Sequence, residues 1–312
     1  MKVLLPDSLP LNPNIPDADL VTYAIGEPIP PAHRDAEVLV VWDVPIPMLR
    51  RDARDLANLK FVQGLAAGAD MLVAAGFAPQ VVCASGVGLH TLTVTEHALA
   101  LLLSLVRRLP QAAAAQMDHV WSGELAGSQP LHPGRPITTL IDAHVVIWGF
   151  GHIGVNLAKV LSALGARVSG IARHAGVREG FEVVTDDELD EVLADADVLI
   201  MVLPATADTR GALTAARLAG LPRGALLVNV GRGSTVDEDA LLAALASGQL
   251  GGAALDVFAT EPLPPDSPLW DAPHLLITPH CAGGRPVGAD ELISANVQAW
   301  RAGGPIRNLV ER

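Results

Sequence analysis

Along most of this chain, short continuous apolar runs alternate with helical or loop segments. In the first hundred residues the runs are 3–5, 20–25, 38–42, 61–63 and 81–83, and helical pieces are predicted over 48–57 and 70–75. Runs that are apolar throughout, rather than at alternate positions, suit strands buried on both faces, which means a parallel sheet with helices on either side. A helix over 89–109 is apolar almost all round, so it should be buried, partly against a second subunit. A further Ala-rich helix follows over 111–119, and the Gly/Pro-rich stretch 122–136 reads as a surface loop. From 144 the pattern is most regular, with strands predicted at 144–148, 167–171, 198–203, 225–230, 252–257 and 275–278. A helical or acidic segment, such as 185–194 or 236–247, fills each gap. The pattern predicts an α/β protein of two doubly wound parallel-sheet domains.

Length and composition support that picture. A chain of 312 residues exceeds what one core usually serves, and half its residues are hydrophobic. A net charge of −13 argues against nucleic-acid partners. The longest greasy run, 98–106, is closed by Arg107 and Arg108 and is too short to span a bilayer. The first residues read as a strand, not as a signal peptide. Cys83 and Cys281 stand far apart and the ten histidines follow no ligand spacing, so the expectation is a reduced, cytoplasmic protein without a metal site.

Candidate chemistry begins where the run 144–148 meets Gly149-Phe150-Gly151-His152-Ile153-Gly154 and opens a helix. That context makes a GxGxxG specific for a dinucleotide. Gly149 permits the tight turn, Gly151 admits the pyrophosphate, Gly154 lets helix approach strand, and the helix start at His152 and Ile153 offers N–H groups to phosphate. The next strand should end in an acid for the ribose 2′-hydroxyl of NAD, but Ala172, Arg173 and His174 stand there instead. With no carboxylate to repel a 2′-phosphate and a guanidinium to grip it, NADP(H) is favoured over NAD(H).

Three further groups follow apolar runs directly: Arg232 in Gly231-Arg232-Gly233, Glu261, and His280 in Thr278-Pro279-His280. At the carboxyl edge of a parallel sheet, an arginine can hold a substrate carboxylate. A histidine paired with a carboxylate can carry a proton, its protonated form being favoured by that partner. Asp256, at the same edge, suits either the nicotinamide carboxamide or a structural network. Together they point to hydride transfer on a 2-oxo or 2-hydroxy acid.

In this order the motifs resemble the D-isomer-specific 2-hydroxyacid dehydrogenases, from about residue 61 to 283. The carrying segments are Thr95-Glu96-His97, the glycine cradle, Leu203-Pro204-Ala205-Thr206 with Thr209-Arg210-Gly211, Asn229 to Gly233, Asp256, Glu261-Pro262 and Thr278-Pro279-His280. The resemblance implies that Arg232, Glu261 and His280 are the substrate arginine and the acid–base pair. Asp256 would be at the nicotinamide, Leu203, Pro204 and Thr209 at the cofactor, and Ala67 and Gly68 would be backbone donors to the substrate carboxylate. It also implies a flavodoxin-like substrate domain on 1–97 and 285–312, a Rossmann cofactor domain inserted over 98–284, an active site in the cleft, and a homodimer. The missing aspartate at 172–173 resembles the family's NADPH-using glyoxylate and hydroxypyruvate reductases. A phosphite or other small-anion dehydrogenase, or a dinucleotide-binding corepressor, stays open as an alternative. Short-chain dehydrogenases are excluded, because Tyr23 is the one tyrosine and lacks their lysine partner.

Overall fold

The computed structural model describes residues 1–130 and 134–311, so part of the loop expected over 122–136 lies outside the described residues. The chain divides into two compact units, Met1–His90 with Gly283–Arg312, and Thr91–Ala282. The resemblance implies joins at 97/98 and 284/285. In the structure the whole of the apolar helix that begins at Thr91 goes with the second unit.

The first unit is a five-stranded parallel sheet of β1 (Lys2–Pro6), β2 (Asp19–Tyr23), β3 (Val38–Val41), β4 (Phe61–Gly64) and β5 (Val82–Ala84), ordered β2-β1-β3-β4-β5. That is the flavodoxin-like order. Of the three inner strands, β3 and β4 are buried at every position, and α1 (Ile46–Asp55) and α2 (Asp70–Ala75) fill crossovers.

Asp52, on α1, is 2% exposed, and its Oδ1 has no hydrogen-bond partner among the described residues. Burial pushes its carboxyl up to about 6, helped by Asp55 and opposed by Arg51 and Arg34. A pKa raised by folding contributes stability below the ordinary carboxylate value and loses it as pH rises through about 6. Asp52→Asn should therefore stabilise the protein at pH ~8 by up to about 3 kcal/mol and lose that advantage near pH ~4. Denaturant melts at the two pH values check it, and an equal effect at both would refute the buried-charge account.

The second unit opens with α3 (Thr91–Val106), which buries Val94, Ala98, Leu101, Leu102 and Val106. The sequence places its end at Pro110. Instead the chain breaks at Arg108, whose φ is 54°, and α4 (Leu109–Met117) starts with Pro110 in its first turn. Proline lacks only an N–H that a first turn leaves unpaired anyway, so it begins this helix rather than ending the previous one. A single turn, α5 (Gly123–Ala126), interrupts the expected loop.

An eight-stranded sheet follows: β6 (His144–Trp148), β7 (Arg167–Ile171), β8 (Gly176–Arg178), β9 (Phe181–Val184), β10 (Val198–Met201), β11 (Ala225–Asn229), β12 (Leu250–Leu255) and β13 (Leu275–Ile277). Its order is β13-β12-β11-β10-β6-β7-β9-β8, parallel except for the β8–β9 hairpin. The Rossmann order is thus present, with its switch point between β6 and β10. On one face, α3 and α6 (His152–Ala163) cover the sheet. On the other lie α7 (Leu189–Leu193), α8 (Ala215–Gly220) and α9 (Glu238–Ala246). Finally α10 (Ala289–Ala302) returns to the first unit, where Asn296 Nδ2 donates to Gln63 Oε1 at 2.8 Å. Among the described residues no single helix is long and apolar enough to cross a membrane.

Candidate active site

The cradle lies at the carboxyl end of β6, directly beside the switch point. Gly149 has φ 105°, and a Cβ there would stand 2.6 Å from the Val202 carbonyl oxygen, so only glycine fits. Around Gly151 the space a Cβ would take is open to 4 Å. Past it α6 begins at His152 without a side-chain cap, so the N–H groups of its first turn point outward from the helix start. Open space over glycine and an uncapped twelve-residue helix suit a pyrophosphate.

Arg173 and His174 follow β7 and are exposed. Arg178, at the end of β8, donates to the carbonyl of Phe150 in the cradle and to the His174 carbonyl at 3.0 Å. It ties the cradle to the loop that holds Arg173. Arg178 has no signal in the sequence, because the three-residue strand that aims it, Gly176-Val177-Arg178, is short and buries nothing fully. Leu203 and Pro204 follow β10, and their loop is closed by Thr209, whose hydroxyl donates to the Pro204 carbonyl at 2.6 Å.

Arg232, Glu261 and His280 converge at the carboxyl ends of β11, β12 and β13. Arg232 is set by Asn229, fully buried at the end of β11: its Nδ2 donates to the Arg232 carbonyl at 3.2 Å and its Oδ1 accepts from Gly231 N–H at 3.0 Å. Gly233 must be glycine, since a Cβ there would meet the Phe258 carbonyl carbon at 1.9 Å. That close approach brings the Arg232 loop against the segment leading to Glu261. Arg232 Nη1 donates to the Gly231 carbonyl at 2.8 Å.

His280 Nδ1 and Glu261 Oε2 are 2.6 Å apart, and Glu261 Oε1 accepts from Phe258 N–H at 2.9 Å. The carboxylate assigns the imidazole proton to Nδ1 and leaves Nε2 as the exchanging nitrogen. Burial pushes the Glu261 carboxyl up, but the bonds from His280 and Phe258 and the nearby charges of His280 and Arg232 outweigh it. The group is held below its ordinary range. His280 itself has φ 50°, a left-handed conformation held by a short turn.

Asp256 anchors that turn. It is 1% exposed and accepts from the Thr278 hydroxyl (2.6 Å), Cys281 N–H (3.0 Å) and Ala282 N–H (2.9 Å). Of the two roles open to it from sequence, the structural network is the one its visible bonds serve. Sequence reasoning gave no role to His97, Thr278 or Cys281, which gather on Asp256 from distant segments. Ala67 and Gly68 belong to the turn between β4 and α2 in the first unit, whereas the Arg–Glu–His set belongs to the second.

A Rossmann sheet with a fitted phosphate cradle and an Arg–Glu–His set on its carboxyl edge is the framework of a nucleotide-dependent dehydrogenase. The chain belongs to the D-isomer specific 2-hydroxyacid dehydrogenase family, residues 99–282 matching that family's NAD binding domain. It is 34% identical over 310 residues to glyoxylate/hydroxypyruvate reductase A of Salmonella newport, covering 96% of this chain and 92% of that one. It is also similar to the solved NADPH-dependent glyoxylate/hydroxypyruvate reductase of Sinorhizobium meliloti in complex with NADP and sulfate. The TM-score there is 0.81 at 29% identity, over 99% of this chain and 98% of that one. A D-isomer specific 2-hydroxyacid dehydrogenase from Xanthobacter autotrophicus Py2, in complex with NADPH and MES, gives a TM-score of 0.78 at 32% identity, over 95% and 90%.

Proposed function

We propose that this protein is an NADPH-preferring reductase of small 2-oxo acids, glyoxylate or hydroxypyruvate foremost, giving the D-hydroxy acid where a stereocentre forms. The observation that carries the reading is the 2.6 Å His280–Glu261 pair with Arg232 beside it, on the same sheet as a phosphate cradle. The cradle glycines with His152 and Ile153, together with Leu203, Pro204 and Thr209, are the groups for the dinucleotide, and Arg173 with His174 for its 2′-phosphate. NADPH supplies the hydride. Arg232 pairs with the substrate carboxylate and polarises the adjacent carbonyl oxygen as charge builds there. His280 delivers a proton from Nε2 to that oxygen, while Glu261 stabilises the imidazolium and fixes its orientation. In the reverse direction neutral Nε2 removes the hydroxyl proton.

Turnover at 340 nm with NADPH and NADH, against glyoxylate, hydroxypyruvate, pyruvate, phenylpyruvate and phosphite, tests the reading. Rapid NADPH loss with a smaller 2-oxo acid is expected. Cofactor binding without turnover of any acid or of phosphite would replace the reductase by a dinucleotide-sensing protein. Arg173→Ala should weaken NADPH by the ~1.5–3 kcal/mol of a charged hydrogen bond, while NADH holds. Equal weakening of both cofactors would sink the 2′-phosphate assignment.

Assembly as a homodimer belongs to the same proposal. Met117 and Trp121, on α4 and just after it, are 81% and 91% exposed, beside the exposed Leu109 and Val120. Large apolar side chains left this exposed within one short segment suit an interface, and a second copy of the chain is the occupant. Light scattering should return the mass of two chains, and a one-chain mass would remove the dimer. A cytoplasmic location accords with the two free thiols, Cys83 and Cys281, and is checked by cell fractionation.

A further inference from the structure

Three donor atoms from segments far apart in sequence meet behind His280. His97 Nε2, from α3, lies 3.2 Å from Asp256 Oδ1, at the end of β12. Cys281 Sγ, past β13, lies 3.6 Å from that oxygen and 4.0 Å from His97 Nε2. We propose that His97, Asp256 and Cys281 form a binding site for a zinc-class divalent cation.

Geometry and donor chemistry both support the assignment. Zinc bonds of about 2.0–2.3 Å to nitrogen, oxygen and sulfur place tetrahedral donors roughly 3.3–3.6 Å apart. The separations to Asp256 already match, and the Cys281–His97 gap closes with a shift of a few tenths of an ångström. One sulfur, one imidazole nitrogen and one carboxylate oxygen is a donor set that selects zinc over magnesium or calcium, which take oxygen alone. Cys281 is exposed, so an ion can enter and water can take the fourth position. On binding, the thiol gives its proton to solvent and the metal–sulfur bond forms. His97 turns its Nε2 lone pair to the ion with its proton on Nδ1. No electrons change hands.

The same ion has a consequence for turnover, which rests on the reductase activity proposed above. Asp256 Oδ1 accepts from the Thr278 hydroxyl and Cys281 N–H, and these bonds hold the turn on which His280 sits. An ion that claims this oxygen and draws Cys281 inward loosens both, so it should displace His280 from its working position.

Cobalt(II) titration of the metal-free full-length protein is the direct test. One equivalent should bind and develop a near-ultraviolet sulfur-to-cobalt charge-transfer band with the strong visible bands of a four-coordinate ion, and zinc should bleach them. Cys281→Ala, which keeps the backbone bond to Asp256, and Cys281→Ser should both lose the charge-transfer band. Absence of the band in the wild type, or its survival in the two variants, overturns the site. In the turnover assay, zinc should inhibit the wild type, while Cys281→Ala keeps its basal rate and resists. Zinc inhibition equal in both would also overturn it. If the band appears but no acid is reduced, the metal site stands and the reductase reading falls. If acids are reduced but the band is absent, the reverse holds.

Discussion

His280→Ala is expected to lower kcat for 2-oxo acid reduction by ~10²–10⁴, the contribution of one positioned acid–base group. Cofactor affinity should stay unchanged, because the groups assigned to the dinucleotide lie at the ends of β6, β7 and β10. His280→Gln should do no better: it fills the space but cannot pass a proton. Glu261→Gln tests the support of the pair. The native carboxyl is held below its ordinary range by His280, Phe258 N–H and Arg232 against the opposing effect of burial. A depressed pKa contributes stability above the ordinary carboxylate value and loses it only as pH falls through the lowered one. The pair should thus stay intact across mildly acid conditions, and only the wild type should show this loss at the acid end. Single-turnover rates and the pH profile measure both effects. Wild-type turnover in His280→Ala would remove this residue from the chemistry.

The second large effect is expected at Arg232. Arg232→Gln should cost ~10²–10³ in kcat/KM, comparable to losing one oriented donor to a developing oxyanion. The loss should appear in KM for the acid as well as in kcat, since the same side chain is assigned the carboxylate. Arg232→Lys should recover little, because an ammonium cannot make two parallel bonds. Neither variant should disturb folding much: Asn229 bonds to the backbone at 231 and 232, not to the guanidinium. An unchanged KM for glyoxylate in Arg232→Gln would refute the assignment.

That Arg232, Glu261 and His280 stand past strand ends could be read from sequence because β11, β12 and β13 are continuous runs without a charged residue. The runs at β6, β10 and β11 are buried at every residue, so hydrophobicity marks them without ambiguity. β8 escaped notice for the opposite reason: Gly176-Val177-Arg178 pairs with β9 at the sheet edge and buries nothing fully. The break between α3 and α4 is ambiguous in sequence because a proline can stop one helix or start the next, and its place in the first turn of α4 makes Pro110 a start. The gathering of His97, Thr278 and Cys281 on Asp256 is a product of sheet order. β12 and β13 are neighbours, and the start of α3 lies by their ends, a relation that spacing along the chain does not encode.

The sheet order also separates two decisions. Arg173 follows β7, on one side of the switch point, while Arg232, Glu261 and His280 follow β11 to β13, with β6 and β10 in between. Under the proposed assignment, choice of electron donor and choice of what is reduced are written on opposite flanks of one scaffold. Drift at the first flank can move such an enzyme between biosynthetic and catabolic reductant pools while the second stays under unaltered selection. Under that assignment a change of reductant leaves the acid–base set untouched.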